Sequence, residues 1–221
     1  MKNNSLEEWL NYIERLHPKE IELGLERIEP LYHRIIKEPL ADKIIVVGGT
    51  NGKGTTVEYL SKLIRSDNKT VGTYTSPHLF DFNERIRING EKASNKEIVK
   101  SFREIEKVRG STQLTYFEFT TLVAFDLLYR KRLDVVVLEI GLGGRLDAVN
   151  VVNSDISILT NVELDHQDWL GNDKEAIGLE KAAIFRNKKP AILAHKNFPN
   201  SVLDQANKIG AEIFRLGREF R

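Results

Sequence analysis

The chain has 221 residues, of which 41% are apolar and 29% are charged, and this balance is typical of a globular domain with one substantial core. Its 33 basic residues nearly match its 32 acidic ones, so the net charge of +1 provides no overall attraction to nucleic acid or to an anionic membrane. The lack of cysteine excludes disulfides, thiolate metal ligands and a cysteine nucleophile. The N-terminal residues lack the apolar core of a signal peptide, and no apolar run is long enough to span a bilayer, so we expect a cytoplasmic protein.

Two helices are predicted at the start of the chain. Ser5, followed three residues later by Glu8, predicts a capping box at the beginning of the first helix. Apolar residues at helical spacing predict a second helix over 25–36, interrupted at Pro30. The segment 17–24 between these helices is predicted to be a loop.

Beyond residue 43, short apolar runs alternate with helical patterns. A buried strand at 43–48 precedes a helix whose packing face is predicted to carry Val57, Leu60, Leu63 and Ile64. Further strands and helices are predicted at 70–74, after Ser94, at 116–131, 134–140, 155–160, 172–185, 190–194 and 201–215. The alternation predicts an α/β fold with a parallel sheet covered by helices on both faces. We expect one domain over 1–221, cut short at its C-terminal end because no element follows the last strand.

A glycine-rich segment, GGTNGKGTT at 48–56, lies between the strand at 43–48 and the helix that follows it. Glycines allow backbone N–H groups to turn inward around phosphate oxygens, and the helix N-terminus adds partial positive charge. Lys53 can reach the β- and γ-phosphates, and the hydroxyl of Thr55 or Thr56 can bind Mg²⁺ or phosphate. The segment departs from the strict phosphate-loop pattern because Gly54 separates the lysine from the hydroxyl. The alternative is a glycine-rich turn without a ligand, but the strand–loop–helix context favours nucleotide phosphates.

Glu139 lies near the carboxyl end of the apolar run DVVVLEI. Burying a carboxylate there is costly without a partner, and phosphate-loop proteins place their metal-binding acid at a comparable position. The alternative is a carboxylate that only accepts hydrogen bonds from a neighbouring loop. The nearby glycine-rich segment favours metal binding.

Four other signals have ordinary explanations when each is considered alone. His166 follows a predicted strand, where an imidazole can bind a metal, although a lone histidine usually has no ligand role. Ser76 has a context typical of a turn, Lys181 is typical of a solvated helix face, and NER at 83–85 is typical of a polar loop.

These signals gain weight from their order along the chain. The chain resembles the dihydrofolate synthase/folylpolyglutamate synthase family of the Mur ligase superfamily in the segments GTNGKGTT, YTSPHL, FNERI, TYFEF, LEIGLGGRLDA, LDHQDWLG and EKAAIF. The implied fold is the phosphate-loop NTPase-like central domain of Mur ligases. Family members are about twice as long, and a second, glutamate-binding domain, which has no counterpart in this sequence, completes their active site.

The resemblance implies roles for individual residues. Catalytic roles are implied for Lys53, Glu139, His166 and Lys181, of which Lys181 matches the lysine that is carbamylated in the family. The ATP phosphates would be held by Thr50, Asn51, Gly52, Lys53, Gly54 and Thr55. Mg²⁺ would be bound by Ser76, Glu139 and His166. The pterin-binding positions are matched by Thr115, Tyr116, Phe117, Glu118, Arg145, Leu146, Asp147 and Ala148.

The activity implied by the resemblance is the ATP-dependent addition of L-glutamate to dihydropteroate, to reduced folates or to both. Because a carboxylate reacts poorly with an amine, ATP first converts it to an acyl phosphate, from which the glutamate amine displaces phosphate. We expect small-molecule partners only, with no nucleic acid and no membrane, and a monomer. We expect this chain alone to bind Mg-ATP weakly, to form no amide bond and to leave Lys181 unmodified.

Three alternatives use the same kind of loop. A cell-wall Mur ligase carries a nucleotide-sugar domain ahead of the phosphate loop, and the residues that precede it here are too few for such a domain. A GTPase would need an aspartate at the position of Pro190 in the sequence NKKP. A non-catalytic ATP-binding fragment remains an open alternative for this chain.

Overall fold

The computed structural model describes residues 5–19 and 21–221. Its helices are α1 (Leu6–Ile13), α2 (Ile28–Ile35), α3 (Lys53–Ser66), α4 (Asn95–Arg109), α5 (Tyr116–Lys131), α6 (Gln167–Leu170), α7 (Lys174–Ala182) and α8 (Asn200–Ile209). Its strands are β1 (Lys43–Gly48), β2 (Val71–Tyr74), β3 (Ile86–Ile88), β4 (Glu91–Lys92), β5 (Val135–Glu139), β6 (Ile156–Leu159), β7 (Pro190–Leu193) and β8 (Glu212–Arg215). Short 3₁₀ helices cover Phe82–Arg85 and Ala148–Val151. None of the described helices is long and apolar enough to cross a membrane.

The strands form one eight-stranded sheet in the order β4-β3-β2-β5-β1-β6-β7-β8. The six strands from β2 to β8 in this order are parallel, which confirms the predicted α/β fold. Parallel strands place their carboxyl ends at one edge of the sheet, where ligands of open α/β sheets bind. The loops after β1, β2, β5 and β6 therefore gather at this edge.

The sheet also has an antiparallel edge, which the sequence analysis did not predict. β3 and β4 form a hairpin around Asn89 and Gly90, whose φ angles are 50° and 85°. Asparagine followed by glycine is the preferred pair for such a turn, so the signal is present in the sequence. β3 pairs antiparallel with β2, and Thr75 N–H donates to the Arg85 carbonyl at 2.9 Å. The 3₁₀ helix ahead of β3 is thereby fixed beside the loop that follows β2.

The two faces of the sheet pack against different helices. Ile44 and Val46 of β1 belong to a large core cluster that includes residues of α1, α2, α4 and α5, whereas Ile45 and Val47 belong to a smaller cluster with α3. The split arises because successive side chains of a strand point to opposite faces of the sheet. Helices on both faces are therefore confirmed.

The first predicted helix is confirmed, and the second differs in one respect. Ser5 and Glu8 form the predicted capping box. Pro30 does not interrupt the second helix, because it lies in the first turn of α2, where a backbone N–H has no helical partner to lose. The predicted interruption is wrong.

One predicted packing position on α3 is also wrong. Val57 is buried, but Leu63 is 64% exposed. Leu63 lies about 120° around the helix from Val57, outside the narrow stripe that contacts the sheet. Leu60 and Ile64 pack partly buried against the smaller cluster, as predicted.

Candidate active site

The glycine-rich segment forms a tight loop between β1 and α3. Gly49 has a φ of 137° and Gly52 a φ of 80°, which side chains rarely tolerate. A Cβ atom at Gly49 would lie 1.9 Å from Oγ1 of Thr160, so only glycine fits there. Gly52 is the N-cap of α3 and provides no side-chain cap. The first N–H groups of the helix therefore suit an anion.

Two lysines converge on this loop. Nζ of Lys53 donates to the carbonyl oxygens of Gly49 and Thr50, each at 3.2 Å, and Nζ of Lys181 donates to the same Gly49 oxygen at 3.1 Å. Lys181 is buried and not on a solvated helix face; burial, followed by the charge of Lys53, lowers its pKa to about 8. Two ammonium groups beside one loop create a local site for phosphate, although the chain as a whole is nearly neutral.

Asn161, which the sequence analysis did not select, holds the loop from the side. Its Oδ1 accepts the backbone N–H of Thr50 at 3.2 Å and that of Asn51 at 2.9 Å. Thr50 Oγ1 in turn donates to the Glu163 carbonyl at 3.3 Å and accepts the Glu163 N–H at 3.0 Å. While Asn161 holds these two N–H groups and the shape of the loop, the N–H groups at the start of α3 and the Lys53 ammonium are the ones available to phosphate. The sequence signal was an asparagine just after β6, at the ligand-binding edge of the sheet.

Glu139 ends β5 and faces the beginning of α3. It is 5% exposed, and its Oε2 accepts the N–H of Ser76 at 3.1 Å. A Cβ atom at Gly54 would lie 3.4 Å from the same oxygen. Burial raises the pKa of Glu139, and the Ser76 N–H and the Lys53 charge oppose this rise. Two of the three predicted metal ligands, Ser76 and Glu139, are thus in contact beside the loop.

His166, the third predicted ligand, has an exposed ring whose Nε2 lies 3.5 Å from Oδ2 of Asp165. It borders the same cavity as Ser76. Over 5–19 and 21–221, no group of three histidine, cysteine, aspartate or glutamate residues is placed to hold a metal. Metal binding by His166 therefore stays a prediction.

A cavity of about 850 Å³ opens beside these loops, a size typical of small-molecule sites. Its walls come from the segment ahead of α2, the loops after β2 and β5, and the beginning of α5. Ser76 and His166 line it together with seven of the eight predicted pterin-binding residues: Thr115, Tyr116, Phe117, Glu118, Leu146, Asp147 and Ala148. The eighth, Arg145, lies outside the lining, and its Nη2 pairs with Glu180 at 2.8 Å.

Thr115 and Glu118 have a structural role besides lining the cavity. They form a capping box at the beginning of α5, in which Thr115 N–H donates to Glu118 Oε2 at 2.8 Å and Glu118 N–H donates to Thr115 Oγ1 at 3.2 Å. Arg27 Nε donates to the other Glu118 oxygen at 3.0 Å, so this buried carboxylate has a cationic partner. Contact of either residue with a ligand stays a prediction.

The wall of the cavity combines a buried carboxyl group with an aromatic ring. Asp147 is 2% exposed and accepts the N–H groups of Leu142 at 2.8 Å and Val149 at 2.9 Å. Burial raises the pKa of Asp147 to about 6, against the effect of these N–H groups. Phe117 packs over Gly141 so closely that a Cβ atom there would lie 2.5 Å from the ring. A carboxyl group that can pair with the polar edge of a heterocycle therefore lies next to a ring that can stack on its flat face.

Residues 47–219 match the family model of the Mur ligase middle domain. The chain belongs to this Mur ligase family. The dihydrofolate synthase/folylpolyglutamate synthase of Escherichia coli is 46% identical over 215 residues, which are 97% of this chain and 51% of that protein. A structure of E. coli FolC in complex with DHPP and ADP matches with a TM-score of 0.96 at 46% identity, over 98% of this chain and 52% of that chain. A bifunctional folylpolyglutamate synthase/dihydrofolate synthase with Mn, AMPPNP and L-glutamate bound matches with a TM-score of 0.91 at 48% identity, over 96% and 52% respectively. The chain spans about half the length of the curated relatives it matches.

The groups at the sheet edge of this Mur ligase domain suit both a nucleotide and a divalent metal. The uncapped N-terminus of α3 and the Lys53 ammonium suit phosphate oxygens. Mg²⁺ in nucleotide sites takes one or two carboxylates and completes its shell with phosphate oxygens and water. Glu139, a buried carboxylate in contact with the Ser76 loop, fits such a ligand.

The structure of the Mur ligase domain adds Arg85 to the candidate residues. The sequence pattern at 83–85 is typical of a polar loop, but Arg85 is 7% exposed and lines the cavity. Its burial follows from the antiparallel pairing of β3 with β2, which the sequence analysis missed.

Proposed function

We propose that the protein to which this chain belongs is an ATP-dependent ligase that adds L-glutamate to dihydropteroate, to reduced folates or to both. One observation carries the proposal: the phosphate loop, the buried Glu139 and a cavity of about 850 Å³ share one sheet edge in a chain that is 46% identical to the E. coli dihydrofolate synthase/folylpolyglutamate synthase. In this proposal the chain provides the nucleotide site and the pteroate or folate site.

The proposed division of roles follows the chemistry of the side chains. The N–H groups at the start of α3 and the Lys53 ammonium hold the ATP phosphates, and Ser76, Glu139 and His166 position Mg²⁺. When bound, Mg²⁺ neutralises phosphate charge during transfer. One oxygen of the substrate carboxylate attacks the γ-phosphorus of ATP, the bond to the β,γ-bridging oxygen breaks, and an acyl phosphate and ADP result. The amine of glutamate then displaces phosphate and loses a proton as the amide forms.

Carbamylation of Lys181 is part of the proposal for the complete enzyme. Only a neutral amine can react with CO₂, and burial and the charge of Lys53 lower the pKa of Lys181 to about 8, so its neutral fraction rises as the pH passes through that value. The product would be an anionic oxygen donor in place of a cation. A cytoplasmic monomer with small-molecule partners is proposed for the same protein.

The proposal is tested in two steps. Isothermal titration calorimetry on this chain should detect Mg-ATP binding and, separately, dihydropteroate binding. The protein encoded by the complete native reading frame should then convert ATP, dihydropteroate and labelled glutamate to ADP, phosphate and labelled product in the presence of Mg²⁺. ATP binding without glutamate incorporation into any pteroate or folate acceptor would contradict the proposal and favour a non-catalytic ATP-binding protein.

A further inference from the structure

Arg85 is a buried cation without a carboxylate partner. Its side chain lines the cavity and the residue is only 7% exposed. Among the described residues, no aspartate or glutamate forms an ion pair with it, and its one side-chain hydrogen bond runs from Nε to Nδ1 of His78 at 2.9 Å. By contrast, the partly buried Arg27, just ahead of α2, pairs with Glu118 at 3.0 Å. The Glu139 carboxylate acts on Arg85 through its charge without forming an ion pair with it. A desolvated cation that no acid contacts is costly, so its retention points to an anionic group supplied from outside the chain.

The surroundings of Arg85 fix its position and leave one edge of the guanidinium available. Its Cζ lies 5.6 Å from the ring centroid of Phe82 and 5.5 Å from that of Tyr116, so aromatic rings flank the group. His78 occupies Nε. The two Nη atoms have no hydrogen-bond partner among the described residues. This terminal fork has the geometry that binds both oxygens of a carboxylate.

The backbone of Arg85 places this fork near the proposed reaction centre. Thr75 N–H donates to the Arg85 carbonyl at 2.9 Å, and the next residue, Ser76, donates its N–H to Glu139 at 3.1 Å. Arg85, Ser76 and Tyr116 line the same cavity. Of the buried acidic residues in the wall, Asp147 accepts backbone N–H groups and Glu118 pairs with Arg27, so neither is paired with Arg85. The cavity therefore presents one unpaired cation next to the metal and phosphate side of the site.

We propose that Arg85 is a substrate-binding residue that receives the carboxylate to which glutamate will be joined. This inference rests on the proposed function, and it adds the group that recognises the reacting end of the substrate. Planar, bidentate pairing would hold the carboxylate in one orientation while the pterin end occupies the wall formed by Phe117 and Asp147. The ligand class is an aryl or alkyl carboxylate on a pteridine scaffold.

The test compares an acid with its neutral amide. Binding of dihydropteroate and of its carboxamide is measured by calorimetry on this chain with Arg85 intact and in the variants Arg85→Met and Arg85→Lys. Arg87→Met is the matched control, because Arg87 lies on the neighbouring strand, donates to the Gly90 carbonyl at 3.1 Å and does not line the cavity. Mg-ATP affinity and thermal unfolding are measured for each variant.

We expect Arg85→Met to weaken binding of the acid by about 10- to 100-fold, the range of a charge-assisted hydrogen-bonded contact, and to leave binding of the amide nearly unchanged. Arg85→Lys should retain part of the preference for the acid over the amide, and Arg87→Met should retain all of it. The affinity for Mg-ATP should be the same in every variant. The melting temperature of Arg85→Met should be equal to or above that of the parent chain, because an unpaired buried charge has been removed.

Two results would overturn the inference while leaving the proposed function in place. In the first, Arg85→Met binds the acid as tightly as the parent chain does. In the second, Arg85→Met loses affinity for the acid and for the amide equally, as a collapsed pocket would. If the parent chain binds neither the acid nor the amide, the proposed function itself fails and the inference fails with it.

Discussion

Lys53, Lys181 and Glu139 surround the beginning of α3, and each is held by backbone groups rather than by an opposite charge. Both ammonium groups donate to the Gly49 carbonyl, and the Glu139 carboxylate accepts the Ser76 N–H. Backbone partners keep these side chains in place without neutralising them, so their charges remain available to a ligand. On the cavity side, Arg85 likewise has no contacting acid, but its partner is the His78 side chain rather than a backbone group.

At the residue scale, Lys53→Ala should abolish measurable Mg-ATP binding and leave the fold intact. The Nζ group donates hydrogen bonds to two loop carbonyls, so its loss removes a phosphate-facing charge, equivalent to roughly 3 kcal/mol of binding free energy. Calorimetry with Mg-ATP provides the measurement. Lys62→Ala is the control and should bind as the parent chain does, because Lys62 is exposed on the same helix and pairs with Glu58. Unchanged nucleotide affinity in Lys53→Ala would contradict the assignment.

Asp147 predicts a specific pH dependence of stability. The pKa of Asp147 in the folded protein, about 6, lies above its ordinary value of 3.8. Its contribution to the free energy of unfolding is therefore fully present below pH 3.8 and is lost as the pH rises through 6. Asp147→Asn should therefore gain stability relative to the parent chain between pH 4 and pH 7, by on the order of 3 kcal/mol. Urea unfolding at several pH values measures the difference between the two proteins.

Asp134→Asn is the control for this titration. The Thr70 N–H and hydroxyl lower the pKa of Asp134, so its contribution is complete above its ordinary pKa and the difference from the parent chain should stay constant between pH 5 and pH 7. An equally flat difference for Asp147→Asn would show that the buried carboxyl group is ionised without cost.

At the scale of the element, the phosphate loop is shaped by its own glycines and by one residue that lies far away in the sequence. Gly49 and Gly52 permit its backbone angles, and Asn161, from the loop after β6, accepts two of its N–H groups. The contribution of the glycines can be predicted from the sequence pattern. The contact with Asn161 exists only because β1 and β6 are neighbours in the sheet.

Asn161→Ala should weaken Mg-ATP binding by about 10-fold, because two N–H groups lose their acceptor and the loop gains alternative conformations. Asn161→Asp keeps an acceptor oxygen and should preserve the loop, but its negative charge next to the phosphates should also reduce the affinity for Mg-ATP. Added salt should relieve the loss of affinity in Asn161→Asp but not the loss in Asn161→Ala. Asn207→Ala, at an exposed position on α8, is the control. Nucleotide affinity that is unchanged in both Asn161 variants would show that the loop needs no side support.

At the scale of the whole molecule, the described residues form an eight-stranded sheet with a cavity of about 850 Å³ at its ligand-binding edge. The cavity is open to solvent among loops, and an acyl phosphate formed there would meet water. In a two-domain ligase, closure of the second domain over this edge would exclude water and supply the glutamate site.

We therefore expect this chain alone to bind Mg-ATP but to form no amide bond. The chain is incubated with ATP, Mg²⁺, dihydropteroate and labelled glutamate, and a full-length relative such as the E. coli dihydrofolate synthase/folylpolyglutamate synthase is assayed in parallel. Labelled pteroyl product at a rate near that of the full-length relative would show that a second domain is dispensable. Release of ADP and phosphate without labelled product would match an unprotected intermediate.

Much of the architecture could be predicted because it depends on local pattern. The capping box at Ser5, the glycine loop at 48–56 and the apolar run that ends at Glu139 all occur where the sequence placed them. The wrong predictions are local as well: Pro30 does not disrupt a helix when it lies in the first turn, and Leu63 lies outside a packing stripe that is narrower than the apolar pattern predicts. The hairpin at Asn89 and Gly90 was missed although its turn signal is strong.

The sequence by itself determined the alternating strands and helices, the glycine loop and the family resemblance, because periodicity, conformational freedom and motif order are properties of neighbouring residues. Only the tertiary structure decided which polar groups meet. It buried Arg85 without an acid, placed Asn161 against the phosphate loop, directed Arg145 to Glu180 and paired Glu118 with Arg27. These contacts depend on which strands are neighbours and on the burial that follows, and both are set by the packing of the whole sheet rather than by any segment of the chain.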